Sequence, residues 1–289
     1  MTINTAYHQL LYQLFALYDD REAANIADWV IEYITGQRRI ERILYKDLQL
    51  NNSQQQQLET FTQQLLQYKP VQYVLQEAWF AGMKFFVKEG VLIPRPETDE
   101  LVEQISNFKF QVSGSLQILD IGTGSGCIPI ALKKRLPASN ILSIDISEAA
   151  LAIAQKNATD LQADITLQQL DFLDETNWYQ LGKFDIIVSN PPYIKQSESA
   201  SMSKHVTDYE PSLALFVADN KGLIFYDKIA AFGKEHLNPN GQIFVEINEA
   251  LGEETVAMFQ QHGYQTLLKQ DLQGKDRMIQ AWLSNDFND

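Results

Sequence analysis

Cysteine is nearly absent from this 289-residue chain, where Cys127 stands alone. One thiol forms no internal disulfide, which points to a reducing cytoplasm rather than to a stapled secreted fold. Long apolar runs are missing too. None approaches the ~18 residues of a membrane span. The opening Met1-Thr2-Ile3-Asn4-Thr5 has no basic n-region, so no signal peptide is expected. Positive charge is scarce: 23 Lys and Arg against 37 Asp and Glu leave a formal charge of −14. That balance argues against a nucleic-acid clamp, which needs clustered cations. Residues 1–80 share it, with six basic and nine acidic groups. The four histidines, at 8, 205, 236 and 262, show no paired ligand spacing, so no metal site is expected. The remaining composition, 45% hydrophobic and 21% charged, is that of a globular protein long enough for two domains.

Residues 1–75 read as helices. Tyr7, Leu10, Leu11, Leu14, Phe15 and Tyr18 repeat at helical spacing, and Ile26, Ala27, Val30, Ile31 and Ile34 form a second stripe that Gly36 should stop. Ile40, Ile43 and Leu44 give a short third element; Leu58, Phe61, Leu65 and Leu66 mark a fourth, ended by Pro70. Residues 76–96 change period. A β-hairpin turning near Gly82 leads to the stiff elbow Pro94-Arg95-Pro96-Glu97, after which Thr98 or Asp99 is the expected cap of a helix carrying Leu101, Val102 and Ile105. From residue 115 strands and helices alternate, the pattern of a doubly wound α/β sheet. Seven strands are expected, near 116–121, 141–146, 165–170, 184–189, 242–247, 264–269 and 278–283, the last two as a hairpin.

Asp120-Ile121-Gly122-Thr123-Gly124-Ser125-Gly126 lies between a strand and a helix, where three glycines let the backbone turn and approach a ligand. Asp145 ends the next strand, 23 positions after Gly122, close to the ~20 expected of a carboxylate that holds ribose hydroxyls. A dinucleotide loop would need glycine at position 127, which is Cys127. The spacing suits a ligand without pyrophosphate, such as a sulfonium nucleoside. Asp171 and Phe172 offer an acceptor and an aromatic wall for adenine, although Phe172 reads equally well as plain core. Cys127 reads as small buried filler.

The apolar run at 186–188 stops at Asn190-Pro191-Pro192-Tyr193. Two prolines remove two backbone donors and fix two φ angles, so the strand must end in a rigid corner. Such a corner beyond a strand's carboxyl end supplies an amide oxygen, a carbonyl and an aromatic face, a set suited to a planar group bearing NH2. Alone, the tetrad reads equally well as a proline-rich loop that merely ends a strand. Glu210 and Glu246 either face this cleft or serve as caps or solvated groups.

Together the helical bundle, Pro94-Arg95-Pro96-Glu97-Thr98, the glycine loop, Asp145, Asn190-Pro191-Pro192-Tyr193 and Tyr209-Glu210-Pro211 resemble class I S-adenosylmethionine-dependent methyltransferases. Within these, they resemble the bacterial release-factor glutamine methyltransferases, the PrmC/HemK family. The resemblance implies a Rossmann-like domain (residues 97–289) with a mostly parallel seven-stranded sheet and a C-terminal antiparallel hairpin. A helical substrate-docking domain (1–75) and a hairpin linker (76–96) would precede it. S-adenosyl-L-methionine would be the cofactor and S-adenosyl-L-homocysteine the product. Gly122, Thr123, Gly124, Ser125, Gly126, Asp145 and Phe172 would bind the cofactor, with Asp171 and Asn190 completing that set. Phe172 stands where the family often has tryptophan. Asn190, Pro191, Pro192 and Tyr193 would hold the substrate, the glutamine of a release factor's GGQ motif. Glutamine methylation of a ribosomal protein, adenine-N6 methylation of nucleic acid, and a non-catalytic scaffold are the alternatives.

Overall fold

The computed structural model describes residues 1–45, 47–110 and 114–284, and the chain divides into two compact units. The first holds the helical stripes: α1 (Ile3–Leu14), α2 (Asp20–Thr35), α3 (Arg39–Leu44), α4 (Asn52–Leu65) and α5 (Val71–Leu75). Caps set their ends. Asp19 accepts the Arg21 and Glu22 amides at the start of α2, and Gly36 closes it at φ +69°, a left-handed value that glycine adopts freely. Leu10, Leu14, Val30, Ile31 and Leu65 form a core sealed from solvent. The third stripe forms its short helix as expected, with Ile40, Ile43 and Leu44 61%, 65% and 69% exposed. Arg42, in the same helix, is buried and pairs with Asp28.

The second unit begins at Ala78, one residue into the expected hairpin of β1 (Glu77–Phe80) and β2 (Met83–Phe86), which turns through Ala81 and Gly82 at positive φ. Next comes α6 (Pro96–Asn107). Its cap corrects the expectation: the helix begins at Arg95, with Pro96 in the first helical position, where its missing N–H costs nothing. Thr98 therefore lies inside the first turn, with its hydroxyl buried. The chain then runs β3 (Gln117–Ile121), α7 (Cys127–Arg135), β4 (Asn140–Asp145), α8 (Glu148–Asp160), β5 (Thr166–Gln169) and β6 (Phe184–Ser189). A stretch without sequence-level pattern follows: β7 (Ile194–Lys195), α9 (Lys204–Thr207), α10 (Ser212–Leu215) and β8 (Phe216–Val217), where β7 and β8 pair. Then come α11 (Ile224–His236), β9 (Leu237–Glu246), α12 (Gly252–Gln261), β10 (Tyr264–Gln270) and β11 (Asp276–Leu283).

Residues 203–209, which contain α9, belong to the first unit. There His205 stacks on Tyr18, Lys204 lies over the Tyr68 ring, and Tyr209 OH donates to the Gln67 carbonyl at 2.6 Å.

The seven large strands form one sheet in the order β10-β11-β9-β6-β3-β4-β5. Only the terminal hairpin is antiparallel, Met278 standing opposite Glu246. Alternate residues feed two cores: Ile118, Ile186, Val188 and Phe244 on one face, Leu119, Ile187, Ile243 and Val245 on the other. β6 is buried along its whole length, as an apolar parallel strand should be. The order reverses at β3, which has β4 on one side and β6 on the other. Ligands of open α/β sheets bind at such a switch point, beyond the strands' carboxyl ends.

Candidate active site

Glycine conformation shapes the loop after β3. Gly122 and Gly124 take φ values of +79° and +52°, with nothing within 4 Å of where a Cβ would stand. The Gly122 and Thr123 amides donate to the Ile144 carbonyl, hooking the loop to the end of β4. Asp145 completes the hook: its Oδ2 accepts the Gly124 amide and its Oδ1 the Ser147 amide, each at 2.9 Å. Each oxygen keeps a second lone pair for a further donor. Gly126 has another task. A Cβ there would meet Ala154 Cβ and Ile130 Cδ1 at 3.1 Å, so its bare backbone lets α7 and α8 pack together. Asn157 braces the loop from α8, donating to the Ser125 and Phe86 carbonyls and accepting the Phe86 amide.

Asp120 lies beneath, fully buried, and neither carboxylate oxygen has a hydrogen-bond partner among the described residues. Burial pushes its carboxyl up to about 7, with the nearby Thr123 and Ser143 hydroxyls pulling the other way. Cys127 is buried filler, as expected; burial drives its thiol up to about 12 and so removes thiolate chemistry.

A cavity of about 950 Å³, counted to its open mouth, occupies the switch point. Gly122, Gly124, Asp145, Asp171 and Phe172 line it from the β3–β5 side, and Asn190, Pro191 and Pro192 from the β6 side. Thr123, Ser125, Gly126 and Tyr193 are not on its wall. Thr123 and Ser125 are buried behind it, and Tyr193 stands one residue past the lining prolines. Phe172 is 4% exposed, and its ring stacks on Trp178 and meets Phe232 edge-on. It is therefore core and cavity wall at once. Asp171 is exposed and accepts the Leu173 amide.

Two carboxylates left open at the sequence level belong to this region. Glu210, 5% exposed, takes two hydrogen bonds from Arg95 Nη2 at 2.6 and 2.8 Å, tying the elbow to the chain beside Pro211 in the cavity wall. Glu246, at the end of β9, is 1% exposed. Its Oε2 accepts from Thr98 Oγ1 at 2.6 Å and its Oε1 from Tyr193 OH at 3.3 Å. Thr98 Oγ1 in turn accepts from Asn190 Nδ2 at 3.0 Å. Burial pushes Glu246 up to about 7 against the Thr98 bond and the Arg277 charge. The visible signal for these residues was slight: a hydroxyl two places after an N1 proline, and an acid ending a β-branched run.

The sheet order, the glycine hook and the carboxylate on β4 define a Rossmann-like domain of the class I methyltransferase type. Sequence comparison agrees. The family model of the methyltransferase small domain matches residues 98–207, and that of the PrmC N-terminal domain matches residues 9–75. A release factor glutamine methyltransferase of Flavobacterium psychrophilum is 44% identical over 284 residues, covering 97% of this chain and 99% of the relative. Its counterpart in Bacteroides thetaiotaomicron is 40% identical, covering 96% and 98%. That of Lactococcus lactis is 42% identical, covering 83% and 88%. The chain belongs to the release factor glutamine methyltransferase (PrmC/HemK) family.

Proposed function

We propose that this chain transfers a methyl group from S-adenosyl-L-methionine to the side-chain amide nitrogen (N5) of the glutamine in the GGQ motif of peptide-chain release factors. The observation that carries this reading is the shared cavity: Asn190 and Pro191 line the same space as Gly122, Gly124 and Asp145. The near end-to-end match to relatives whose name gives that activity supports it.

The residues fit the cofactor. Gly122 and Gly124 leave open space beside the backbone for its amino-acid part, Asp145 has lone pairs for ribose hydroxyls, and Phe172 gives an apolar wall. The bound cofactor supplies a methyl on positively charged sulfur, which moves to nitrogen in exchange for one amide proton and leaves S-adenosyl-L-homocysteine. The protein's task is to make a poor nucleophile ready. A carboxamide lone pair is delocalised into its carbonyl. Asn190 Oδ1 and the Pro191 carbonyl each accept one N–H of the substrate, drawing the nitrogen toward a pyramidal form. Acceptors also suit the positive charge that develops there. Orientation supplies most of the acceleration, since well-placed groups reach effective molarities of ~10⁵–10⁸ M.

Residues 1–75 dock the protein substrate in this reading. Supporting that role, Ile40, Ile43, Leu44, Tyr45 and Leu48 expose apolar surface on the helical unit. The test is incubation with labelled cofactor and three separate targets, a release factor, a ribosomal protein and DNA, followed by mass mapping. Label on the GGQ glutamine is expected; label confined to either other target would overturn the reading. Asn190→Ala should lower turnover by ~10²–10³ with cofactor affinity within a few-fold.

A further inference from the structure

The direction in which Asn190 faces is dictated by a residue that never reaches the cavity wall. Thr98 Oγ1 has one proton, and it donates that proton to Glu246 Oε2 at 2.6 Å. Oε2 is an acceptor whether the acid is ionised or carries its proton on Oε1. The hydroxyl oxygen is thereby left only as an acceptor, and Asn190 fills it with Nδ2 at 3.0 Å. An amide turned the other way would set Oδ1 against Oγ1 with no proton between them, leaving both oxygens without a donor. With Nδ2 held, Oδ1 is the end left for a ligand.

We propose that Glu246 and Thr98 are positioning residues for methyl transfer, which fix the Asn190 amide with its oxygen toward the substrate nitrogen. This rests on the reading of Asn190 as the acceptor for that nitrogen. The Tyr193 hydroxyl donates to the other oxygen of Glu246, so one acid orients both polar ends of the tetrad. The support is rigid. Glu246 follows Val245, which stands opposite Ser189 in the parallel pair of β9 and β6. Its backbone carbonyl accepts from Tyr226 OH at 3.0 Å. Thr98 is 2% exposed in the first turn of α6. Sites held by regular elements keep their geometry better than sites on loops.

The experiment compares kcat, KM for a GGQ peptide, and cofactor affinity by calorimetry in the full-length enzyme. Thr98→Val removes the hydroxyl at nearly constant volume. Its kcat should fall by up to roughly 10²-fold, with KM and cofactor affinity changed less than a few-fold. Thr98→Ser should recover most of the lost rate. In an Asn190→Ala background, Thr98→Val should cost no further rate, because the residue it orients is gone. If Thr98→Val does not melt cooperatively, Glu246→Leu takes its place in the same comparison. Parental kcat in these variants overturns the proposal, and so does an equal loss with and without Asn190. A parent enzyme that leaves the GGQ glutamine unmethylated removes the reading of Asn190 itself. An active parent with indifferent variants removes only the positioning role.

Discussion

Arg95 and Glu210, 115 residues apart, share a two-pronged ion pair in which the carboxylate is buried and the guanidinium is 34% exposed. The pair fastens the proline elbow to the segment that carries Pro211 into the cavity wall. Removing one partner of a fully buried pair costs ~3–5 kcal/mol. Partial exposure of Arg95 lets water take over some of the loss, so Glu210→Ala should destabilise by about 1–3 kcal/mol. Urea denaturation measures this. Calorimetry should also show weaker cofactor binding, because Leu92 and Pro211 line the cavity on either side of the pair.

Asp145 holds the glycine hook as well as facing the cavity. Asp145→Ala should therefore weaken cofactor binding by more than one lost hydroxyl contact, because the Gly124 and Ser147 amides lose their acceptor too. Asp145→Asn keeps one amide acceptor and should fall between parent and alanine in a titration calorimeter. Identical affinity in all three would assign the residue to the fold alone.

Gly126 offers the opposite case. An alanine there meets Ala154 and Ile130 at 3.1 Å and holds a φ of +81°, so crowding and backbone strain add. Gly126→Ala should cost about 2–3 kcal/mol and lower the melting temperature. The cofactor affinity of the folded fraction should change little, since this residue is not on the wall.

Asp120 and Glu246 give the stability a definite pH dependence. Both are pushed by burial to about 7, from ordinary values of 3.8 and 4.5. Between those limits the folded protein binds more protons than the unfolded chain, so stability falls as pH rises through 7. The melting temperature should be lower at pH 8 than at pH 6. Glu246→Gln should flatten part of that slope and Asp120→Asn another part. Asp271, held below the ordinary range chiefly by the Lys275 amide, acts only in acid and leaves this window untouched.

The strands and the two corners of the site were legible because their signals are local. Glycines at 122 and 124, prolines at 191 and 192, and an aspartate at the end of β4 each state a backbone need in one residue. The sheet alternation was readable for the same reason, in β-branched runs bounded by turns. Thr98 was not legible in its role. A hydroxyl near a helix start reads as a cap, and only the partners at 190 and 246 turn it into a relay. Glu210 and Glu246 look like any surface acid until folding removes water from them. Ile40, Ile43 and Leu44 were legible as a short helix but not as an exposed one, since helical spacing marks a face without saying that anything covers it.

The seven residues 203–209 are spliced into one folding unit from the middle of the other. The backbone therefore crosses between the units three times, after residues 77, 202 and 209. A single protease nick after residue 77 would not set the amino-terminal helices free, because Tyr18, Tyr68 and Gln67 would still grip the inserted loop. A shortened enzyme starting at residue 78 would keep that loop but strip it of its companions. Surface substitutions on the helices are thus a cleaner way than truncation to ask what the helical unit recognises.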